Sequence, residues 1–228
     1  MNMEGSDNIT ERDHLWNAAQ KIDESLIGEE YSKLGARALN MFYENNVHDI
    51  LVLGCGKDGD VHTFTRKRFC ITTIDFSSFE TDESGKGKEK GGIISCGAFL
   101  SKNIREKLPS SRSSIDAIFS KLLLCVDLRE DEIMDLMWEC LRVLRPGGLN
   151  ILSVFSDHDP ACGAAVTCGQ DEWISDRGFV SHFFNEEKIR RIAKGFMVLW
   201  IQDYVEEKPS GSKLMYEIVL MKPKRSRL

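Results

Sequence analysis

Two glycines and an acid in one stretch of the chain are spaced to do chemistry together. Gly54 and Gly56 follow an apolar run in "ILVLGCG", with Cys55 between them, and Asp75 ends "ITTID". The glycines let the backbone turn sharply and let a ligand approach with no Cβ in the way. Open α/β sheets bind ligands beyond the carboxyl ends of their strands. A carboxylate at such an end is placed to accept hydrogen bonds from a ribose diol, so the pattern points to a cofactor containing a nucleoside. Read literally, Gly54-Cys55-Gly56-Lys57-Asp58-Gly59 also fits G-x-G-x-x-G. That pattern would seat the pyrophosphate of NAD on the following helix N-terminus.

The elements that must position these residues can be read in order. "ILVL" is a short apolar run of the kind a parallel strand covered on both faces requires. Ser113 to Phe155 predicts a strand ending near Ser120, a loop, and then a helix with apolar positions at Ile133, Leu136, Met137, Cys140, Leu141 and Leu144. Pro146 cannot continue that helix, and Gly147-Gly148 turn the chain into "LNILSVF". "GFMVLWIQDYVEE" and "KLMYEIVLMK", joined through Pro209-Ser210-Gly211, predict a terminal hairpin. "GIISC" predicts a third strand ending at Cys96-Gly97. Residues 77–92 are polar and rich in Gly and Lys, which predicts a flexible loop. The insert from Ser156 to Phe183 has no steady period and predicts a long functional loop.

A terminal antiparallel hairpin beside a parallel sheet is not the dinucleotide layout. The ordered set "LGCG", "TIDFS", "IDAIFS" and "VLRPGGLNI" resembles the class I S-adenosylmethionine-dependent methyltransferases. From "VLRPGGLNI" through "HFFNEEKIRRIAKGF" it is similar to their small-molecule branch, which includes the tellurite-resistance type. The resemblance spans Ile50 to Lys222. It implies a Rossmann-like α/β fold: a seven-stranded, mostly parallel sheet with a C-terminal antiparallel hairpin and helices on both faces. It also implies S-adenosyl-L-methionine as cofactor. Gly54, Cys55 and Gly56 would lie at its amino-acid end, Asp75 on the ribose and Phe76 beside the adenine. Cys96 and Gly97 would sit near the adenine amino edge and Ser120 below the sulfonium. The chain departs from the family pattern in three places. Val52 replaces an acid, Asp58 stands at the usual third glycine, and Cys96-Gly97 replace an adenine-facing Asp. These departures define an alternative, a methyltransferase-like domain with weakened cofactor binding that serves as a binding or regulatory protein.

Composition bounds the rest. With 228 residues, 42% of them hydrophobic, the chain can bury one α/β core. We read 1–47 as an N-terminal helical lid and first covering helix, 48–222 as the cofactor-binding domain and 223–228 as a basic tail. The three form a single domain. A net charge of −6 argues against nucleic acid or a membrane surface as main partner. No apolar run reaches the roughly 18 residues that span a bilayer, and the polar, acidic start reads as neither signal nor transit peptide. Seven cysteines without C-x-x-C pairs indicate free thiols in a reducing cytoplasm. No Cys or His cluster has metal-ligand spacing.

For methyl transfer by in-line displacement, much of the acceleration comes from holding acceptor and methyl in attack geometry. Hydroxyl or ammonium acceptors also need a base, whereas thiolates hardly do. His158 and Asp159 follow the fifth strand's carboxyl end, and His182 precedes the helix capped by Asn185. These three are the candidates for contact with a small-molecule acceptor, since His takes a proton near neutral pH. Cys162 and Cys168 read as loop thiols. The acceptor atom (O, N, S or a metalloid) and the oligomeric state stay open.

Overall fold

β1 (Asp49–Leu53) has an unbroken apolar run because it is covered on both faces. Ile50 and Val52 enter one core cluster, and Leu51 and Leu53 enter the other. The computed structural model describes residues 32–54, 59–75, 97–101, 103–125, 128–163, 166–169, 172–174, 180–207 and 211–224. β1 pairs in parallel with β2 (Cys70–Asp75) on one side and β4 (Ile115–Lys121) on the other. β3 (Gly97–Ser101) lies outside β2, and β5 (Leu144–Ser156) outside β4. β10 (Lys213–Met221) runs antiparallel to β5 and pairs with β9 (Met197–Glu206). These seven strands lie in the order β3-β2-β1-β4-β5-β10-β9, and a mostly parallel sheet with a terminal antiparallel hairpin is what the sequence leads one to expect.

The covering helices follow their apolar stripes. α1 (Lys33–Glu44) and α2 (Gly59–Arg66) cover one face through Leu34, Ala38, Phe42 and Phe64. α3 (Glu130–Val143) and α4 (Glu186–Ile192) cover the other through Ile133, Leu136, Cys140, Ile189 and Ile192. The α3 stripe closes on Val143, and the chain is already extended at Leu144, two residues before Pro146. Asn185 caps α4, its side chain accepting from the Lys188 amide at 2.8 Å with Glu186 and Glu187 in the first turn, as its sequence predicts.

Two expectations are corrected. The third strand is "GAFLS", five residues later than "GIISC", and Gly97 opens it opposite Ile71. The insert after β5 is not all loop: β6 (Val166–Gly169), β7 (Glu172–Ile174) and β8 (Val180–Phe184) form an antiparallel meander. β8 docks against the end of β5 through Phe155–Phe183 and Ser156–Phe184. Strands of three to five residues carry too few positions to establish a period. The N-terminal lid (1–31), the loop read at 77–92, the tip Pro209-Ser210 and the end of the tail (225–228) lie outside the described residues.

At the amino edge of the sheet, Asp116 accepts hydrogen bonds from the amides of His48 and Asp49 and pairs with Arg145. Partial burial opposes ionisation, but those amides and the guanidinium outweigh it and hold the carboxyl below its usual range. A depressed folded-state pKa contributes stability that is full above the unfolded value, about 3.9, and is lost as pH falls through the folded one. Asp116→Asn is therefore expected to lower the urea midpoint at pH 7 and to narrow its gap to the wild type as pH falls below about 4. An equal gap at pH 7 and pH 3 would refute this. Elsewhere, burial pushes the thiols of Cys125 and Cys140 up to about 12, so both are inert core groups.

Candidate functional site

Three of the predicted cofactor residues meet at the carboxyl edge where the strand order reverses. Leu53 of β1 lies in register with Ile74 of β2 and with Ser120 of β4. Gly54 and Asp75 therefore leave adjacent strands at one level, with Ser120 beside them. The Gly54 amide donates to the Ile74 carbonyl at 2.9 Å, which fixes the turn. Gly54 has φ +67°, and a Cβ there would lie 2.7 Å from Leu123 Cδ1. The 3₁₀ turn Leu123–Cys125 thus closes over the first glycine, and a side chain would fill the cradle. Asp75 is 3% exposed, so its carboxylate is shielded from solvent. Chain leaving β1 proceeds to β2 and β3 on one side and to β4 and β5 on the other. That is the switch-point geometry at which open sheets bind nucleotides. The described part of the cradle fits a ribose-bearing cofactor. Cys55, Gly56, Asp58, Phe76 and Cys96 lie outside the described residues.

Gly97 is displaced from its expected place. It starts β3 at the level of Ile71, so it lies at the amino end of the sheet. The residue level with Asp75 is Ser101, and Asn103 follows two positions on, its side chain accepting from the Arg105 amide at 3.0 Å. In this register the turn after Ser101, not Gly97, stands beside Asp75 at the carboxyl edge. The signal in the sequence is the short run "GAFLS", which competes with "GIISC" and is decided only by pairing with β2.

β5 delivers a polar cluster at its carboxyl end. The Ser156 hydroxyl donates to Asp203 Oδ1 at 3.1 Å and accepts the His158 amide at 3.1 Å. His158 Nδ1 is 3.4 Å from Asp203 Oδ2 and Nε2 is 3.8 Å from Asp157 Oδ1, and the imidazole side chain is 60% exposed. The Tyr216 hydroxyl lies 3.5 Å from Asp157, and burial, with help from Asp203 and Asp157, pushes that phenol up so that it stays protonated at neutral pH. Asp157, Asp203 and Tyr216 were not singled out by sequence, because two of them come from the distant hairpin. Asp159 is buried with both oxygens on backbone amides, Ala161 at 2.8 Å and Leu214 at 2.7 Å. It ties the His158 loop to the start of β10. His182 is 2% exposed within β8, opposite Glu172. A cleft of about 590 Å³ lined by Lys107–Arg112 and Arg142 lies at the amino edge, away from all of these groups.

Residues 51–152 match the family profile of a methyltransferase domain. No curated protein matches the sequence. Among solved structures, an S-adenosylmethionine-dependent methyltransferase from Methanosarcina mazei superposes with a TM-score of 0.64 at 20% identity, covering 81% of this chain and 98% of that one. The 1,6-didemethyltoxoflavin-N1-methyltransferase of Burkholderia thailandensis, with its substrate and S-adenosylhomocysteine bound, gives 0.61 at 13% identity over 85% and 80%. The cyclase SpnF gives 0.59 at 17% identity over 82% and 80%. At such identities the likeness establishes the fold, and a cyclase on the same frame shows that the fold alone does not fix the reaction. Over residues 51–152 the sequence is thus similar to a methyltransferase domain, and its sheet order is the Rossmann-like fold that it shares with these solved structures.

Proposed function

We propose that the protein transfers a methyl group from S-adenosylmethionine to a small-molecule acceptor. The observation that carries this is the convergence of Gly54, Asp75 and Ser120 at the switch point of a chain matching the methyltransferase profile. When bound, the cofactor supplies an electrophilic methyl on a sulfonium. Gly54 keeps the cradle clear of side chains, Asp75 accepts the ribose hydroxyls, and Ser120 lies under the reacting centre. His158, steadied by Asp203 and Asp157, takes the acceptor's proton. Asp159 holds the loop that carries His158, and His182, buried in β8, is the remaining candidate for contact with the acceptor. The run from "VLRPGGLNI" to "HFFNEEKIRRIAKGF" supports the small-molecule branch that includes the tellurite-resistance type, and the scattered cysteine pattern supports a cytoplasmic setting.

Calorimetric titration with S-adenosylhomocysteine, with NAD in parallel, tests the reading. Micromolar binding of the first and none of the second is expected. Heat with NAD alone, or with neither ligand, would sink it and turn attention to a binding or regulatory role. With an acceptor in hand, His158→Ala should cost about 10²- to 10⁴-fold in kcat with S-adenosylhomocysteine affinity unchanged.

A further inference from the structure

The amino edge of the sheet, away from the Gly54 turn, is bordered by cations. Arg66 ends α2, Lys67 and Arg68 follow it just before β2, and Arg112 precedes β4. Lys194 precedes β9, and Lys224 follows β10. A Cβ on Gly147, near the start of β5, would lie 2.8 Å from Lys224 Cε, so that side chain lies along the same edge. All six are exposed, and none forms an ion pair with a described residue. At about 4.8 Å per strand, the edge from β2 through β1, β4, β5 and β10 to β9 is about 24 Å long. Arg66 complements the dipole at the end of its own helix, but Arg112 and Lys224 belong to no helix. Most carboxylates of this edge are already engaged: Asp49 and Asp116 pair with Arg145, and Glu139 pairs with Arg142. Glu44, at the end of α1, is left to offset one of the six.

The net charge of −6 hides this surface. Eight of the 36 acids but only two of the 30 bases fall within residues 1–31, which leaves 28 of each in residues 32–228. Those charges are divided by edge. Asp157 and Asp203 stand at the carboxyl end, and the unpaired cations stand at the amino end. The chain leaving β10 continues as "KPKRSRL", which adds Arg225 and Arg227 to the sequence that follows.

Exposed apolar side chains share the edge. Tyr43, in the last turn of α1 against Phe69, is 55% exposed, and Met197, the first residue of β9, is 49% exposed. Leu199, also exposed, follows on β9 where its pairing with β10 is irregular. Cations interleaved with exposed Tyr, Met and Leu suit the layer where headgroup phosphates meet acyl chains. A nucleic-acid backbone would use the cations but gain nothing from Met197 or Leu199. We infer that the amino edge of the sheet is a docking surface for an anionic phospholipid bilayer, with Tyr43 and Met197 entering the headgroup layer. Docked in this way, the Gly54–Asp75 switch point and His158, at the other end of the strands, face the aqueous side. Each Lys or Arg near such a surface strengthens attachment about fivefold, so the attachment is strong and sensitive to salt.

Co-sedimentation of the full chain with vesicles tests this. Vesicles of phosphatidylcholine mixed with phosphatidylserine should carry the protein down, and vesicles of phosphatidylcholine alone should not. Raising salt from about 0.1 M to about 1 M contracts the Debye length from about 10 Å to about 3 Å and should release most of the bound protein. The triple variant Arg66→Glu/Lys67→Glu/Arg68→Glu should bind the mixed vesicles about a hundredfold more weakly or worse, with its melting temperature unchanged. Met197→Ser should weaken binding roughly fivefold while keeping the dependence on salt. Equal binding to both kinds of vesicle, binding to neither, or undiminished binding by the triple variant or by Met197→Ser would each overturn the inference. Tighter binding to duplex RNA than to the mixed vesicles at the same salt would also overturn it, and would assign the edge to nucleic acid.

Discussion

Asp75→Ala is expected to leave a folded protein whose affinity for S-adenosylhomocysteine falls at least a hundredfold. The carboxylate sits at the carboxyl end of β2, level with the Gly54 turn and 3% exposed. A hydrogen bond to a charged acceptor contributes about 1.5–3 kcal/mol, and a ribose diol offers two donors. Losing both costs about 3–6 kcal/mol, a factor of 10² to 10⁴ in Kd. Asp75→Asn preserves shape and one accepting oxygen but not the charge, so its loss should be intermediate. Circular dichroism and melting separate a vanished ligand contact from a collapsed strand. An Asp75→Ala protein that binds S-adenosylhomocysteine within threefold of wild type would remove Asp75 from the site.

The parts of this site that were legible in the sequence share one physical property. Gly54, Asp75 and Ser120 each stand where an apolar, doubly covered strand gives way to a small or polar residue, and that change marks the carboxyl edge locally. α3, the Asn185 cap and the terminal hairpin were legible for similar reasons, since stripe, cap and turn are all short-range signals. β3 was misplaced because "GIISC" and "GAFLS" carry equivalent local information, and only pairing with Ile71 to Asp75 selects the second. The β6–β8 meander escaped because its strands are shorter than a readable period. Asp203 had no local signal at all. Antiparallel pairing of the hairpin carries it to the end of β5, beside His158. The framework was thus written locally, and the polar cluster at the end of β5 was written in long-range register.

The same distinction governs how the cofactor loop is held. α2 begins at Gly59, five positions after Gly54, and its second residue, Asp60, is fully buried. Its carboxylate accepts the Ser32 amide at 2.8 Å and the Ser32 hydroxyl at 2.7 Å, while that hydroxyl in turn accepts the Gly35 amide and caps α1. Gly35 is the point of closest approach: a Cβ there would fall inside the Asp60 carboxyl group. Gly35→Ala cannot be absorbed by rotating a free side-chain tip, because that tip is bound on both oxygens. The substitution must either break two charge-assisted hydrogen bonds or push α1 off α2. Either route is expected to cost about 2–5 kcal/mol, from the lost bonds at about 1.5–3 kcal/mol each less the roughly 1 kcal/mol by which Ala is otherwise the better helix residue. Because the displaced element opens directly after the cradle, S-adenosylhomocysteine affinity should fall together with the urea midpoint. Ser32→Ala, which removes the cap (about 1 kcal/mol) and one of the two bonds (about 1.5–3 kcal/mol) without adding bulk, should cost about 2.5–4 kcal/mol and leave ligand affinity nearly intact. A Gly35→Ala protein with the wild-type midpoint would show that α1 and α2 are not locked at this contact, and that the cradle is positioned by the sheet alone.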